Sequence, residues 1–387
     1  MNLLLAGLAV ASTLQADRGE MRGVWVVRTA LASPESADAV VDDAARAGLN
    51  TLFVQVRGRG DALYRSAIAP RSEVLREQPP DFDPLARVLS RAHARGMQVH
   101  AWINVLLVGG FDVPLPAGHV ALAHPDWLMV PRSAAATALE TPPADLVTLI
   151  EARRDPDAEG LYLSPSAPGA VNHSEAVVRE LLGAYAVDGL HLDFIRYPAR
   201  DYDYSRAALT AFRARRGRGW LLDGPEADPG GWAAHRGAAL DALVGRLARA
   251  ARATRPSIVV SAAVLPEVAA MRDKGQAWPG WIRQGLIDAA CAMAYTPDTA
   301  VFRGQILALR ERLGPQAALW AGIGAYRLQQ ASVVEKVLAA RAAGASGVVL
   351  FSSDSLVTAD LDRLRDEAFG PAPRTTGSAP TAGSRQR

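Results

Sequence analysis

One cysteine and two lysines are all that this chain of 387 residues has of those types. The lone Cys291 excludes an intrachain disulfide and any metal site built from several thiolates. It lies in the apolar run 287–295, which makes it a small core side chain rather than a reactive thiol. Because only Lys274 and Lys336 are present, the basic charge is almost all arginine. With abundant Ala and Gly, that bias reads as genomic base composition. An excess of one charge is also missing. The 42 basic and 40 acidic residues leave +2, and no basic block stands out, which argues against a nucleic-acid binder. No stretch approaches the ~20 consecutive apolar residues that span a bilayer. What is present is material for a core: 49% of residues are hydrophobic and 21% charged, which excludes a disordered chain.

The two ends differ from the rest. A short apolar stretch over residues 3–10 with small residues behind it predicts a leader within 1–19 and favours export, periplasmic or extracellular, over a cytoplasmic location. The run 371–387, rich in Pro, Gly, Ser and Thr, lacks apolar side chains to repay its ordering and reads as a disordered tail.

Between them, short apolar runs alternate with helical patterns. The spacing predicts strands over 22–28, 51–56, 98–104, 189–195, 258–264, 287–295, 319–323 and 347–351. Most are near-continuous apolar runs, as in a parallel sheet buried on both faces. Helical periods fill the gaps, with 34–48 and 83–96 each ending in Gly before a strand. Ser174 is a candidate N-cap for the run Val177, Val178, Leu181, Leu182 and Tyr185. Gly344 stands where a C-terminal cap belongs. Eight strands each followed by helical material predict an α/β fold, a (β/α)8 barrel formed by a single domain over 20–370. The alternative is an open doubly wound sheet, which the absent dinucleotide loop and the scatter of polar residues over several strand ends disfavour. The stretch 105–166 is too long for an ordinary loop. It is expected to be an insertion after strand three that builds a cleft.

The segment from Asp188 to Pro198 carries the strongest chemical signal. Strand alternation puts His191, Asp193 and Ile195 on one face and Leu190, Leu192 and Phe194 on the other. An Asp near the end of a buried strand loses solvation unless it is paired or used, and at that end of a barrel its usual use is catalysis. Arg196 is placed to hold it ionised. A second segment, Gln55 to Tyr64, runs from a strand into two Arg, two Gly and an Asp, a set suited to a polyhydroxylated ligand. A third, His100 to Asn104, brings Trp102 and Asn104 to the mouth. Beyond later strands come Glu267, Asp273, Trp278, Tyr295, Asp298 and Asp354. Carboxylates and aromatic faces thus recur at the expected carboxyl-terminal rim, the combination that glycosidic acid–base chemistry uses.

Several of these segments resemble those of family-10-like bacterial glycosyl hydrolases: Arg22 to Val26, Gln55 to Tyr64 and His100 to Asn104. The same holds for His124 to Trp127, Gly160 to Pro165, Asp188 to Pro198 and Gln276 to Tyr295. The ordered series, over about residues 20 to 355, resembles that family far more specifically than any one motif. The resemblance implies a barrel with glycosidase activity on polysaccharide; some members are similar to lipoproteins that cleave peptidoglycan glycan strands stripped of their peptides. A lipobox cysteine is not visible near the start, so lipid anchoring is not carried over. The family's strand-four Asp maps onto Asp193, as nucleophile or base. In related barrels its partner follows strand five, which here is Glu267, the expected general acid. Asp273, Asp298 and Asp354 stand in reserve, with Trp278 as an apolar wall that raises the acid's pKa. Adjacent strands favour the short carboxylate separation of a retaining enzyme. Gln55, Arg57, Asp61, Tyr64, Trp102, Asn104, Arg196 and Tyr295 are the expected sugar contacts. The reading calls for a polysaccharide partner, no cofactor, no metal and a monomer. Two alternatives stay open: an inactive glycan-binding barrel, and a metal-dependent deacetylase-like barrel with His100, His191 and Asp193 as ligands.

Overall fold

A computed structural model describes residues 19–216, 224–357 and 359–370. The leader expected within 1–19, apart from residue 19, and the tail expected over 371–387 lie outside the described residues. Eight strands follow one another: β1 (Met21–Val26), β2 (Thr51–Arg57), β3 (Gln98–Asn104), β4 (Gly189–Asp193), β5 (Val259–Val264), β6 (Ala289–Met293), β7 (Ala318–Ile323) and β8 (Gly347–Phe351). Each pairs in parallel with its sequence neighbours, and β1 also pairs with β8, so the sheet closes into a barrel. All eight expected strands are present, and the closed order excludes the open doubly wound alternative.

The outer ring consists of α1 (Pro34–Arg46), α2 (Pro84–His93), α3 (Pro168–Ala184), α4 (Pro229–Thr254), α5 (Trp278–Arg283), α6 (Thr299–Leu313), α7 (Gln330–Ala342) and α8 (Leu361–Leu364). Each of the eight begins with proline at its first turn or with a polar residue just ahead of it. Proline there costs nothing because that N–H has no intrahelical partner. Past the end of α7, Gly344 takes φ +81, the left-handed turn expected of a cap. Ser174 is not an N-cap. It lies inside α3, where its hydroxyl donates back to the Ala170 carbonyl at 3.0 Å, and Pro168 starts the helix instead.

Strand alternation divides the apolar residues into two cores. Leu52, Val54, Leu190, Leu192, Val260 and Ala262 face outward onto the helices, whereas Trp25, Phe53, Trp102, Cys291, Trp320 and Val349 fill the barrel. Small neighbours make room for these rings. A Cβ on Gly189 would sit 2.4 Å from the His100 ring, and one on Gly23 would sit 2.6 Å from Phe53. Cys291 is fully buried among them, a small core side chain as expected.

The insertion between β3 and α3 carries short helices and a two-stranded antiparallel ladder, Leu107–Gly109 against Leu161–Tyr162. The ladder follows directly on β3, so the returning arm of the insertion is fixed over the mouth beside β3 and β4. No helix among the described residues is long and apolar enough to cross a membrane.

Candidate active site

The site is built around Asp193. Asn104 of β3 lies level with Asp193 of β4, two residues beyond the Trp102–His191 pair. Asp193 is only 7% exposed. Its Oδ1 accepts from the Phe194 N–H at 2.6 Å and its Oδ2 from the Trp102 indole N–H at 3.0 Å. The same indole N–H reaches Asn104 Oδ1 at 3.1 Å, and Asn104 Nδ2 donates to the Gly58 carbonyl at 2.7 Å. Burial pushes the Asp193 carboxyl up to about 6, against the opposing pull of the Phe194 N–H, Arg196 and Trp102. Phe194 itself has φ +48, a left-handed conformation unusual for a bulky residue, and this turn aims its N–H at the carboxylate.

Two sides of the mouth differ in chemistry. On the side of β6 to β8 the wall is aromatic. Tyr295 stacks on Phe351 at 5.4 Å and meets Trp25 edge-on at 6.2 Å, and Phe351 also contacts Trp102 and the half-exposed Tyr326. On the β4 side the wall is charged. The Arg196 guanidinium lies over the Phe194 ring at 4.7 Å and donates to Glu159 Oε1 at 2.7 Å. The Tyr162 hydroxyl donates to Glu159 Oε2 at 2.6 Å. Burial alone would push the Glu159 carboxyl up, but Arg196, Tyr162 and Lys274 together hold it below its ordinary value. Glu159 belongs to the insertion and was not among the expected site residues. Phe351 and Tyr326 were missed too.

Other expected contacts are placed differently. The β2–β3 register shifts between Gln55 and Arg57, so Arg57 leaves the barrel interior and is buried against α3, with Nη2 3.3 Å from His173 Nε2. Tyr64 points the same way, its hydroxyl donating to Glu180 of α3. Asp61 is absorbed by its own turn, accepting from the Gly58 and Arg59 N–H groups and from the Ser72 hydroxyl. Gln55 stays near the rim but accepts from the Arg28 N–H. Trp102, Asn104, Arg196 and Tyr295 are the expected contacts that do gather around Asp193.

Glu267 is not brought to Asp193. It is exposed, and its Oε1 accepts from Gln305 of α6, which lies on the far side of β5 from β4. Asp298 caps α6 through the Val301 N–H, Asp273 pairs with Arg272, and Asp354 is exposed beyond β8. Trp278 packs in the outer core and donates to the Leu265 carbonyl, so it walls neither carboxylate; Trp102 has that place.

The donor set does not fit a metal ion. His191 Nε2 accepts from the Trp25 indole at 3.1 Å, which leaves its Nδ1–H to donate to the Ser261 hydroxyl at 2.9 Å. Both ring nitrogens are therefore committed. No group of three or more His, Cys, Asp or Glu that could hold a metal occurs among the described residues.

A closed eight-stranded parallel barrel, with a buried carboxyl at the carboxyl end of β4 and an aromatic mouth, defines the class: a (β/α)8 barrel. Within that class the chain belongs to the Glycosyl hydrolase-like 10 family, whose model matches residues 20–339. It is 28% identical over 202 residues to "Glycosyl hydrolase YngK" of Bacillus subtilis (strain 168), covering 48% of this chain and 34% of that protein. It is 26% identical over 236 residues to "Glycosyl hydrolase DigH" of Escherichia coli (strain K12), covering 52% of this chain and 46% of that one. The matches thus span less than half the length of these two curated relatives. Among solved structures, the PgaB (BpsB) glycoside hydrolase domain from Bordetella bronchiseptica shares the fold, with TM-score 0.67 and 18% identity over 90% of this chain and 99% of that one. The alpha-L-fucosidase isoenzyme 2 from Paenibacillus thiaminolyticus does so with TM-score 0.63 and 17% identity, over 90% of this chain and 48% of that one.

Proposed function

We propose that this protein hydrolyses O-glycosidic bonds in a polysaccharide, with Asp193 moving the proton. The observation that carries this reading is the buried Asp193 carboxyl at the barrel mouth, with its pKa raised to about 6. A carboxyl of that kind is partly protonated near neutral pH, as an acid that protonates a leaving sugar oxygen must be. This differs from the sequence expectation, in which Asp193 is nucleophile or base and Glu267 the acid. The buried member of a carboxylate pair is the one that retains its proton, and here that member is Asp193.

Substrate binding falls to the two walls of the mouth. Tyr295, Phe351 and Tyr326 offer apolar ring faces to sugars, while Asn104 and Arg196 supply directional hydrogen bonds. A bacterial cell-wall glycan, in particular peptidoglycan strands without their peptides, is the substrate that the resemblance carried by the motif series implies. The test is digestion of a panel that includes intact and peptide-free peptidoglycan, with mass analysis of the products. New reducing ends from one glycan, absent with Asp193→Asn, are expected. Binding that survives in Asp193→Asn, with no product from the wild type on any glycan, would replace the reading with that of a glycan-binding barrel.

A further inference from the structure

Glycoside hydrolysis needs a second carboxylate in contact with the sugar, and Glu267 faces away from Asp193. The insertion brings a different one. Glu159 precedes the Leu161–Tyr162 strand, whose ladder with Leu107–Gly109 fixes it over the end of β3. The crossing is tight: a Cβ on Gly160 would stand 1.9 Å from the Gly109 carbonyl oxygen. Two contacts orient the Glu159 carboxylate, one from Arg196 and one from the Tyr162 hydroxyl. Both partners pack on Phe194, the residue after Asp193: Arg196 over its ring at 4.7 Å, and the Tyr162 ring at 6.2 Å. Phe194 is thus a hinge between the two acids, with Asp193 bonded to its N–H and Glu159 held by the groups on its ring.

The pair is asymmetric in the sense that the chemistry requires. The Glu159 side chain is 38% exposed, open to a ligand, whereas Asp193 is 7% exposed. Arg196 is also 7% exposed, and its Nε and Nη1 are buried without hydrogen-bond partners. With those atoms sealed from solvent, the charge of the guanidinium is answered by Glu159, which it holds through Nη2.

Resting on the glycosidase reading, we propose that Glu159 is the second catalytic carboxylate, delivered by the insertion and set against Asp193 by Arg196 and Tyr162. The sugar's anomeric carbon–oxygen bond breaks, its electron pair goes to the leaving oxygen, and that oxygen takes the proton of Asp193. A water forms the new bond to the anomeric carbon and gives its proton to Glu159. Solvent then removes the proton from Glu159 and restores one to Asp193, so the sum is one glycosidic bond and one water converted to two hydroxyls.

The alternative is that Glu159 only ties the insertion to the barrel. Glu159→Gln preserves an acceptor for Arg196 and Tyr162, and Glu159→Ala opens space for a small anion. Both are assayed on peptide-free peptidoglycan strands, or on whichever glycan of the panel the wild type cleaves, with melting temperature followed in parallel. The expected result is a fall in kcat of about a hundredfold or more in Glu159→Gln, with KM and melting temperature near wild type, and partial recovery of Glu159→Ala by formate or azide. Turnover of Glu159→Gln within about threefold of wild type would overturn the proposal and leave the glycosidase reading standing. So would a loss accompanied by a lower melting temperature and no recovery with either anion, since that is the signature of a brace. Hydrolysis of no glycan by the wild type would instead overturn the reading on which the proposal rests.

Discussion

The Trp102 indole N–H is shared between Asn104 Oδ1, two residues along its own strand, and Asp193 Oδ2 on the neighbouring strand. One donor therefore sets the position of the central carboxyl and of the amide beside it. The indole's apolar body also helps to dehydrate Asp193. Trp102 thus acts on Asp193 in two opposing ways: its N–H favours the carboxylate and its ring the neutral acid. Burial is the larger effect, and the carboxyl rises to about 6.

Asp193→Asn is expected to abolish hydrolysis, and the wild-type pH profile should carry the same group. An acid that must be protonated loses activity as pH rises through its pKa, so kcat/KM should fall about tenfold per unit above pH ~6. Stability should show the complementary trend. With a folded pKa of about 6 against an ordinary value of 3.8, the folded state binds the extra proton between those values. The wild type therefore has this contribution in full below pH 3.8 and loses it as pH rises to about 6, by up to about 3 kcal/mol. Urea unfolding of wild type and Asp193→Asn at pH 4 and pH 7 checks this. The variant should gain on the wild type at the higher pH, whatever the fixed cost of setting an amide among N–H donors.

Glu267→Gln should leave kcat and KM within about twofold of wild type. Its carboxylate is exposed and bonded to Gln305, a contact that the amide can also make, and surface substitutions of this kind usually stay within about 0.5 kcal/mol. A loss of a hundredfold would show that the loop after β5 swings inward during the reaction.

The contrast between Glu267 and Glu159 marks how far the sequence could be read. The strands were legible because burial on both faces leaves an unbroken apolar run, and Asp193 because a carboxylate ending such a run is conspicuous. Glu159 lies 34 positions before Asp193, in an insertion without periodicity, and only the ladder behind it decides where it points. Arg57 was expected at the mouth because the strand runs straight into the polar, glycine-containing turn that it opens. A single irregularity in pairing turned it outward, because one extra residue in a strand exchanges its faces.

His235→Phe is expected to protect the protein in acid. His235 is buried beside Trp232 and Phe212 in an aromatic cluster, and burial, with Arg215 adding to it, lowers its pKa to about 4. A histidine whose folded pKa lies below its ordinary 6.5 contributes stability above that value. The contribution is lost as pH falls through 6.5 towards 4, because the unfolded chain takes up the proton first. Phenylalanine keeps the ring contacts and removes the proton site. Melting temperature measured from pH 7 to pH 4.5 should fall less steeply in the variant, with the two curves meeting or crossing at the acidic end.

Gly160→Ala should separate activity from overall stability. At Gly160 the returning arm of the insertion crosses the outgoing one so closely that a methyl group would lie 1.9 Å from the Gly109 carbonyl oxygen and 3.1 Å from the Gly110 Cα. Both obstacles are backbone, so no side-chain rotation relieves them, and the two short strands must part. The barrel has its own core and its closed ladder, neither of which includes Gly160. The cost, about 2 kcal/mol or more for a backbone clash of this kind, should fall on the insertion, which opens locally while the barrel stays folded. Amide exchange should accelerate at Leu161 to Leu163 and at Leu107 to Gly109, with the strands of the barrel unchanged. Because Glu159 is the residue next to Gly160, turnover should drop by an order of magnitude or more in the same variant. Protection of the ladder equal to wild type, together with full turnover, would show that the crossing has room which the structure does not suggest.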